Sequence, residues 1–145
     1  MNGRKKMHEA NVEGMAAVFL VSDVRRSAEY YRDSLGFSFE RYWGGDPPSF
    51  CIVRRGVSGV MLVRHAHGDG KADVNTNGEA TGHGDDWDAY IWVSDADALA
   101  AEVKANGAVV SRDLDNTFYD MREFVVKDPD GYHICFGSPI ERERA

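Results

Sequence analysis

Apolar and polar positions alternate along this chain in a pattern that occurs twice. The run Ala17-Val18-Phe19-Leu20-Val21 ends at Ser22-Asp23, and Ala89-Tyr90-Ile91-Trp92-Val93 ends at Ser94-Asp95. Short apolar runs bounded by polar residues predict strands, here over 16–21 and 88–93. The aspartate after each run can accept from an unpaired backbone N–H at the start of a helix. Behind Asp23, residues Val24, Ala28, Tyr31 and Leu35 recur at i, i+4, i+7 and i+11, one stripe along a helix. Ala96, Leu99, Ala100 and Val103 form the matching stripe behind Asp95. Gly36 and Gly107 end the two helices, since only glycine takes a positive φ freely. Strands are then predicted over 37–43, Phe50–Arg55 and 60–65, and again over 108–112, Met121–Lys127 and 132–137. Asp128-Pro129-Asp130-Gly131 is a turn between the last two.

Each half therefore reads strand–helix–strand–strand–strand, and Asp23 and Asp95 stand 72 residues apart in a chain of 145. Such a duplication predicts two like modules that bury their faces against each other. The expected layout is a polar arm over 1–14, a first module over 15–65 and a connector over 66–86. A second module follows over 87–138, then a charged tail over 139–145. The fold class is α+β.

Composition narrows the partners. With 43% apolar residues the chain can fill a core, and its net charge of −7 argues against nucleic acid and anionic membrane. Two cysteines, Cys51 and Cys135, supply no disulfide framework and fit buried thiols in a reducing compartment. Arg4-Lys5-Lys6 leads into no signal-like apolar run, and 15–21 is too short to span a bilayer. A cytoplasmic protein is expected.

Several residues together resemble the vicinal oxygen chelate superfamily of glyoxalases, bleomycin-resistance proteins and extradiol dioxygenases. In the first half these are Val21-Ser22-Asp23, Ser27, Tyr30-Tyr31 and Leu35-Gly36-Phe37. In the second half they are Val93-Ser94-Asp95, Met121-Arg122-Glu123-Phe124 and Asp128-Pro129-Asp130-Gly131. The resemblance spans about 15–138 and implies two βαβββ modules forming a cupped, partly open mixed sheet, paired in a homodimer. It also implies four positions where family enzymes hold a divalent metal with His, Glu or Gln. Counting from the capping aspartates and the turn glycines, those positions carry Ala16, Val63, Asp88 and Cys135. Alanine and valine offer no lone pair, and two remaining groups are too few to repay dehydration of an ion. No metal and no cofactor are expected.

Strand periodicity suggests what lines the cup instead. Asp88 brings Tyr90 and Trp92 onto its face, and Cys135 brings His133. Trp43, Phe50, Trp87 and Tyr119 stand near strand ends and extend the aromatic surface. A one-residue change of register would instead turn Tyr90 and Trp92 under the helix. The expected function is a metal-free binding protein resembling bleomycin-resistance proteins, an antibiotic-resistance role in which an aromatic or cationic small molecule is sequestered against the aromatics, with Asp88 as anionic anchor. The competing expectation is a metal-dependent lyase, isomerase or dioxygenase of the glyoxalase type, with donors from His65, His133 or Glu123. A metal-free enzyme with Asp88 or His133 as general base is a third.

Other signals carry less. His133 and Cys135 at i and i+2, with Asp88 opposite, lie too far apart for a hydrogen-bonded nucleophile and base. Asp73-x-Asn75-x-Asn77-Gly78 matches the first half of a calcium loop, but its twelfth position is Gly84. His65, His67 and His83 read as a solvated connector, and Arg25-Arg26 and the last four charged residues as solvated charge.

Overall fold

Eight strands and two helices follow one another in the computed structural model, which describes residues 9–65 and 87–141. The first eight residues, the connector 66–86 with His67, His83 and its calcium-loop match, and residues 142–145 lie outside the described residues. The order is β1 (Met15–Val21), α1 (Val24–Asp33), β2 (Tyr42–Trp43), β3 (Phe50–Arg55) and β4 (Ser58–Arg64). The second module has β5 (Ala89–Trp92), α2 (Ala96–Ala105), β6 (Val109–Asn116), β7 (Met121–Lys127) and β8 (His133–Pro139). The strands form two four-stranded mixed sheets, β1-β4-β3-β2 and β5-β8-β7-β6, with β1–β4 and β5–β8 parallel. This is α+β architecture built from two βαβββ modules. Among the described residues no helix is long and apolar enough to cross a membrane.

Both helices start as their caps dictate. The Asp23 carboxylate accepts from the Arg26 amide and that of Asp95 from the Ala98 amide, each at 3.0 Å. Gly36 and Gly107 take φ of +75° and +86° just beyond them. The stripes predicted from spacing are buried, with Val24, Ala28, Tyr31 and Leu35 facing the first sheet side of the core and Ala96, Leu99, Ala100 and Val103 the second.

Two strands differ from expectation, both through bulges. The segment 37–43 pairs with β3 only at Ser38–Arg54 and from Tyr42 onward. Three residues separate Ser38 from Tyr42 against two between Arg54 and Cys51, and the extra one lifts the middle off the ladder. In β6 the register shifts twice, between Val110 and Arg112 and between Arg112 and Asp115, and the strand continues to Asn116.

Among the described residues no ladder joins the sheets; side chains do. Tyr132 stacks on Phe19 with centroids 4.1 Å apart, and its hydroxyl accepts from the Leu20 amide at 3.0 Å and donates to the Leu20 carbonyl at 2.9 Å. Asp128, in the β7–β8 turn, accepts from the Tyr31 hydroxyl at 2.7 Å and from the amides of Asp130 and Tyr132 at 2.9 Å each. Asp130 accepts from the Ser27 hydroxyl at 2.5 Å and from Arg26 at 2.9 Å. On the other flank Arg55 forks onto Glu102 at 2.6 and 3.0 Å and also donates to the Leu35 carbonyl. Cys51 and Cys135 are buried free thiols. Burial pushes the Cys51 thiol up to about 11.

Burial raises the Asp128 carboxyl to about 6 against the opposing effect of its hydrogen bonds, with Asp130 adding to the rise. Between pH 4 and 6 the folded chain therefore holds a proton at Asp128 that the unfolded chain has released. Its contribution is full below about 4 and is lost as pH rises through about 6. In urea denaturation across this window, the stability of Asp128→Asn relative to the natural protein is expected to rise with pH. Parallel pH profiles for the two proteins would show that Asp128 ionises without a burial penalty.

Candidate functional site

The second sheet has two unlike faces. Ala89 and Ile91 of β5 pack on the core, so Tyr90 and Trp92 lie on the opposite face. The register sets Tyr90 beside Cys135 and Trp92 beside Gly137 on β8, and Glu123 of β7 beside Gly137 from the other side. Gly137 is what lets these groups meet. A Cβ there would collide with the Tyr90 hydroxyl, so the absence of a side chain lets the tyrosine reach across the strand. Its hydroxyl then donates to Glu123 Oε2 at 2.7 Å.

Glu123 is fully buried, and two further donors complete it. The Tyr119 hydroxyl donates to Oε1 at 2.5 Å and Arg112 Nη2 donates to the same oxygen at 2.8 Å. Burial first, and then Glu123 itself, pushes the Tyr90 and Tyr119 phenols well above their usual range, so both keep the protons they donate. The same two causes push the Cys135 thiol far up, which leaves it a poor nucleophile. Beside this cluster lies a cavity of about 300 Å³ lined by Trp87, Arg112, Asp115, Phe118, Tyr119 and Glu123 among others.

Arg112 reaches the cluster because of a bulge. Val110 lies opposite Val126 and packs on the core, and strict alternation would send Arg112 the same way. The shift between them sets Arg112 opposite Val125 instead, on the Glu123 face. Neither Arg112 nor the Arg112–Glu123 pair is legible from alternation. Glu123 carried a signal, a lone acid followed by the run Phe124-Val125-Val126 in a buried strand.

The residues singled out from sequence fall into three groups. Tyr90, Trp92, Cys135 and Tyr119 gather on the second sheet, with Trp87 and Tyr90 centroids 5.0 Å apart and Tyr90 and Trp92 5.3 Å apart. Trp43 and Phe50 pair with each other on the first sheet, where the Arg41 guanidinium lies 3.4 Å above the Trp43 ring. Asp88 and His133 close the end of the β5–β8 ladder, the Asp88 carboxylate accepting from the His133 backbone amide at 2.8 Å.

A family model described as the Glyoxalase/Bleomycin resistance protein/Dioxygenase superfamily matches residues 15–136. The chain belongs to this superfamily. No curated protein is similar enough to count as a match. Among solved structures, TnmS3, an antibiotic binding protein from Streptomyces sp. CB03234, is 20% identical with a TM-score of 0.65 over 91% of this chain and 99% of its own. TioX from Micromonospora sp. ML1 is 18% identical with a TM-score of 0.65 over 88% of this chain and 98% of its own. A glyoxalase-related enzyme from Clostridium phytofermentans is 16% identical with a TM-score of 0.67 over 92% of this chain and 99% of its own. At these identities the likeness is one of fold.

The superfamily's divalent metal does not fit the residues in place. Leu20 pairs with Val63 and Trp92 with Gly137, so the counterpart of Cys135 is Met61 rather than the expected Val63. The expected Val63 follows from counting four residues on from Gly59, whereas Gly56, at φ +58°, occupies the turn that corresponds to Gly131. Ala16, Met61 and Val63 supply no hard donor, Asp88 is bonded to the His133 amide, and Glu123 is bonded to Arg112 and two phenols. Among the described residues no three His, Cys, Asp or Glu side chains converge so as to hold an ion.

The Gly137→Ala substitution is expected to push Tyr90 off Glu123. Loss of one donor to a buried carboxylate costs about 1–3 kcal/mol in chemical denaturation. A change below about 0.5 kcal/mol would mean that Tyr90 re-seats without loss.

Proposed function

We propose that this protein binds a small aromatic or cationic molecule without transforming it, against the face of the second sheet that carries Tyr90, Trp92 and Tyr119. The observation that carries the reading is the Glu123 cluster. Its carboxylate is already saturated by Arg112 and two protonated phenols, so it holds the aromatic rings in place instead of moving protons. A fixed aromatic surface loses little entropy when a flat ligand stacks on it. Trp92 is 72% exposed and offers its ring to such a ligand, while Asp115 brings negative charge to the cavity lined by Trp87 and Tyr119, and Asp88 stands four residues before Trp92 in the sequence. The net charge of −7 favours a cationic guest. TnmS3 is described as an antibiotic binding protein, and the reading extends that class of ligand to this chain. His133, Trp43 and Phe50 complete the proposed surface, the last two across from the second sheet in a homodimer, while the buried Cys135 stands behind it beside Tyr90. Val18, 60% exposed, and Trp92 leave apolar area on the single chain that a second copy would cover. The free thiols suit a cytoplasmic setting.

The test uses ethidium, a planar cationic probe, followed by quenching of tryptophan fluorescence. The Trp92→Ala substitution is expected to weaken binding roughly 5- to 30-fold, the worth of one stacking or cation–π contact. Sedimentation is expected to give a dimer. Equal affinity in both proteins, or one tightly held divalent ion per subunit by metal analysis, would overturn the reading.

A further inference from the structure

A second cavity lies on the opposite side of β5, in the cleft between the modules, and the chain's own pseudo-symmetry indicates what it accepts. It measures about 510 Å³ and is lined by Phe37, Ser58, Ile91, Leu99 and Phe136 among others. Superposing the halves by their strand pairing makes Val63 the counterpart of Gly137, so Ser58 is the counterpart of Tyr132, five residues earlier in each case. Ile91 and Trp92 correspond in the same way to Phe19 and Leu20, each pair standing at the same distance before its capping aspartate.

In one half, then, Tyr132 fills the cleft beside the first strand. Its ring lies on Phe19 and its hydroxyl bonds both the amide and the carbonyl of Leu20. In the other half that tyrosine is a serine. The neighbouring plug is gone as well. The hairpin after β3 has two residues between paired Arg55 and Ser58, whereas three separate Asp128 from Tyr132, and no residue takes the place of Asp130. Ala98 and Leu99 stand where Arg26 and Ser27 bind that aspartate in the first half. A Cβ added at Gly56 would meet nothing within 4 Å, in keeping with open space beside this turn.

The recognition groups of the missing ring remain. The Val93 amide bonds the Gly137 carbonyl at 2.8 Å, so in a ladder where alternate residues face the neighbour, the amide and carbonyl of Trp92 turn away from β8. Those of Leu20 turn away from β4 in the same manner, toward Tyr132. We propose that this cleft is a binding site for a phenol ring, its hydroxyl pairing with the Trp92 amide and carbonyl and its face lying on Ile91. The volume falls in the range of small-molecule sites and exceeds one ring, so the phenol is the anchoring part of a larger molecule.

The probe is p-cresol, the side chain of tyrosine, titrated into isotope-labelled full-length protein with toluene as control. Saturable amide shifts are expected at Ile91, Trp92, Val93, Ala98 and Leu99, with toluene weaker by about tenfold for the lost hydroxyl. The Ser58→Tyr variant, whose new ring fills the cleft from within, is expected to abolish these shifts while its ethidium binding at the Tyr90 face persists. Shifts confined to the Glu123 face, equal binding of p-cresol and toluene, or p-cresol binding unchanged in Ser58→Tyr would each overturn the proposal. The comparison of p-cresol with toluene uses the natural protein and decides the matter even if the variant does not fold.

Discussion

Two buried carboxylates in one turn hold this molecule together. With no strand ladder between the sheets among the described residues, Asp128 and Asp130 bind the second module to the helix of the first, through Tyr31, Ser27 and Arg26. A carboxylate in such a place is tolerated because each is multiply hydrogen-bonded, and a half-satisfied arrangement would be worse than an apolar one. The turn also starts β8, so the same contacts set where Cys135 and Gly137 stand against Tyr90. The motif residues Ser27, Tyr31 and Asp128-Pro129-Asp130-Gly131 are thus clamps rather than reagents.

The two halves began from one plan and serve different ends. Where the second module sends Tyr132 and Asp130 into the first, the first sends back only Ser58 and a shorter hairpin, and the join there rests on Arg55 and Glu102 at the surface. One flank is sealed by polar groups and the other is left open. The Glu123 cluster shows a similar economy. An acid that could have been reactive is matched by Arg112 and two phenols, and the result is a rigid aromatic wall.

Much of the fold is legible in the sequence, for local reasons. Asp23 and Asp95 act within one turn of themselves, Gly36 and Gly107 answer to their own φ, and the helical stripes need only the helical period. What escaped depends on register. Alternation places Tyr90 with Trp92 correctly, yet it cannot foresee two shifts in β6, and those shifts carry Arg112 to Glu123. The counterpart of Cys135 lies two residues from the position that spacing predicts, because the turn glycine is Gly56 rather than Gly59 and the two hairpins differ by one residue. Asp88 lies at the expected strand end, but which atom its carboxylate meets, the His133 amide, follows from how two parallel strands begin.

The bulges of β6 have a bearing beyond the site. A strand on the margin of a sheet presents unpaired amides and carbonyls that can recruit another chain into an extended stack. Besides β1 and β5, which border the other module, the margins are β2, only two residues long, and β6, whose spacing of donors and acceptors is broken twice. Neither offers a straight template, so the outer rims resist the runaway cross-strand growth that leads to fibrils.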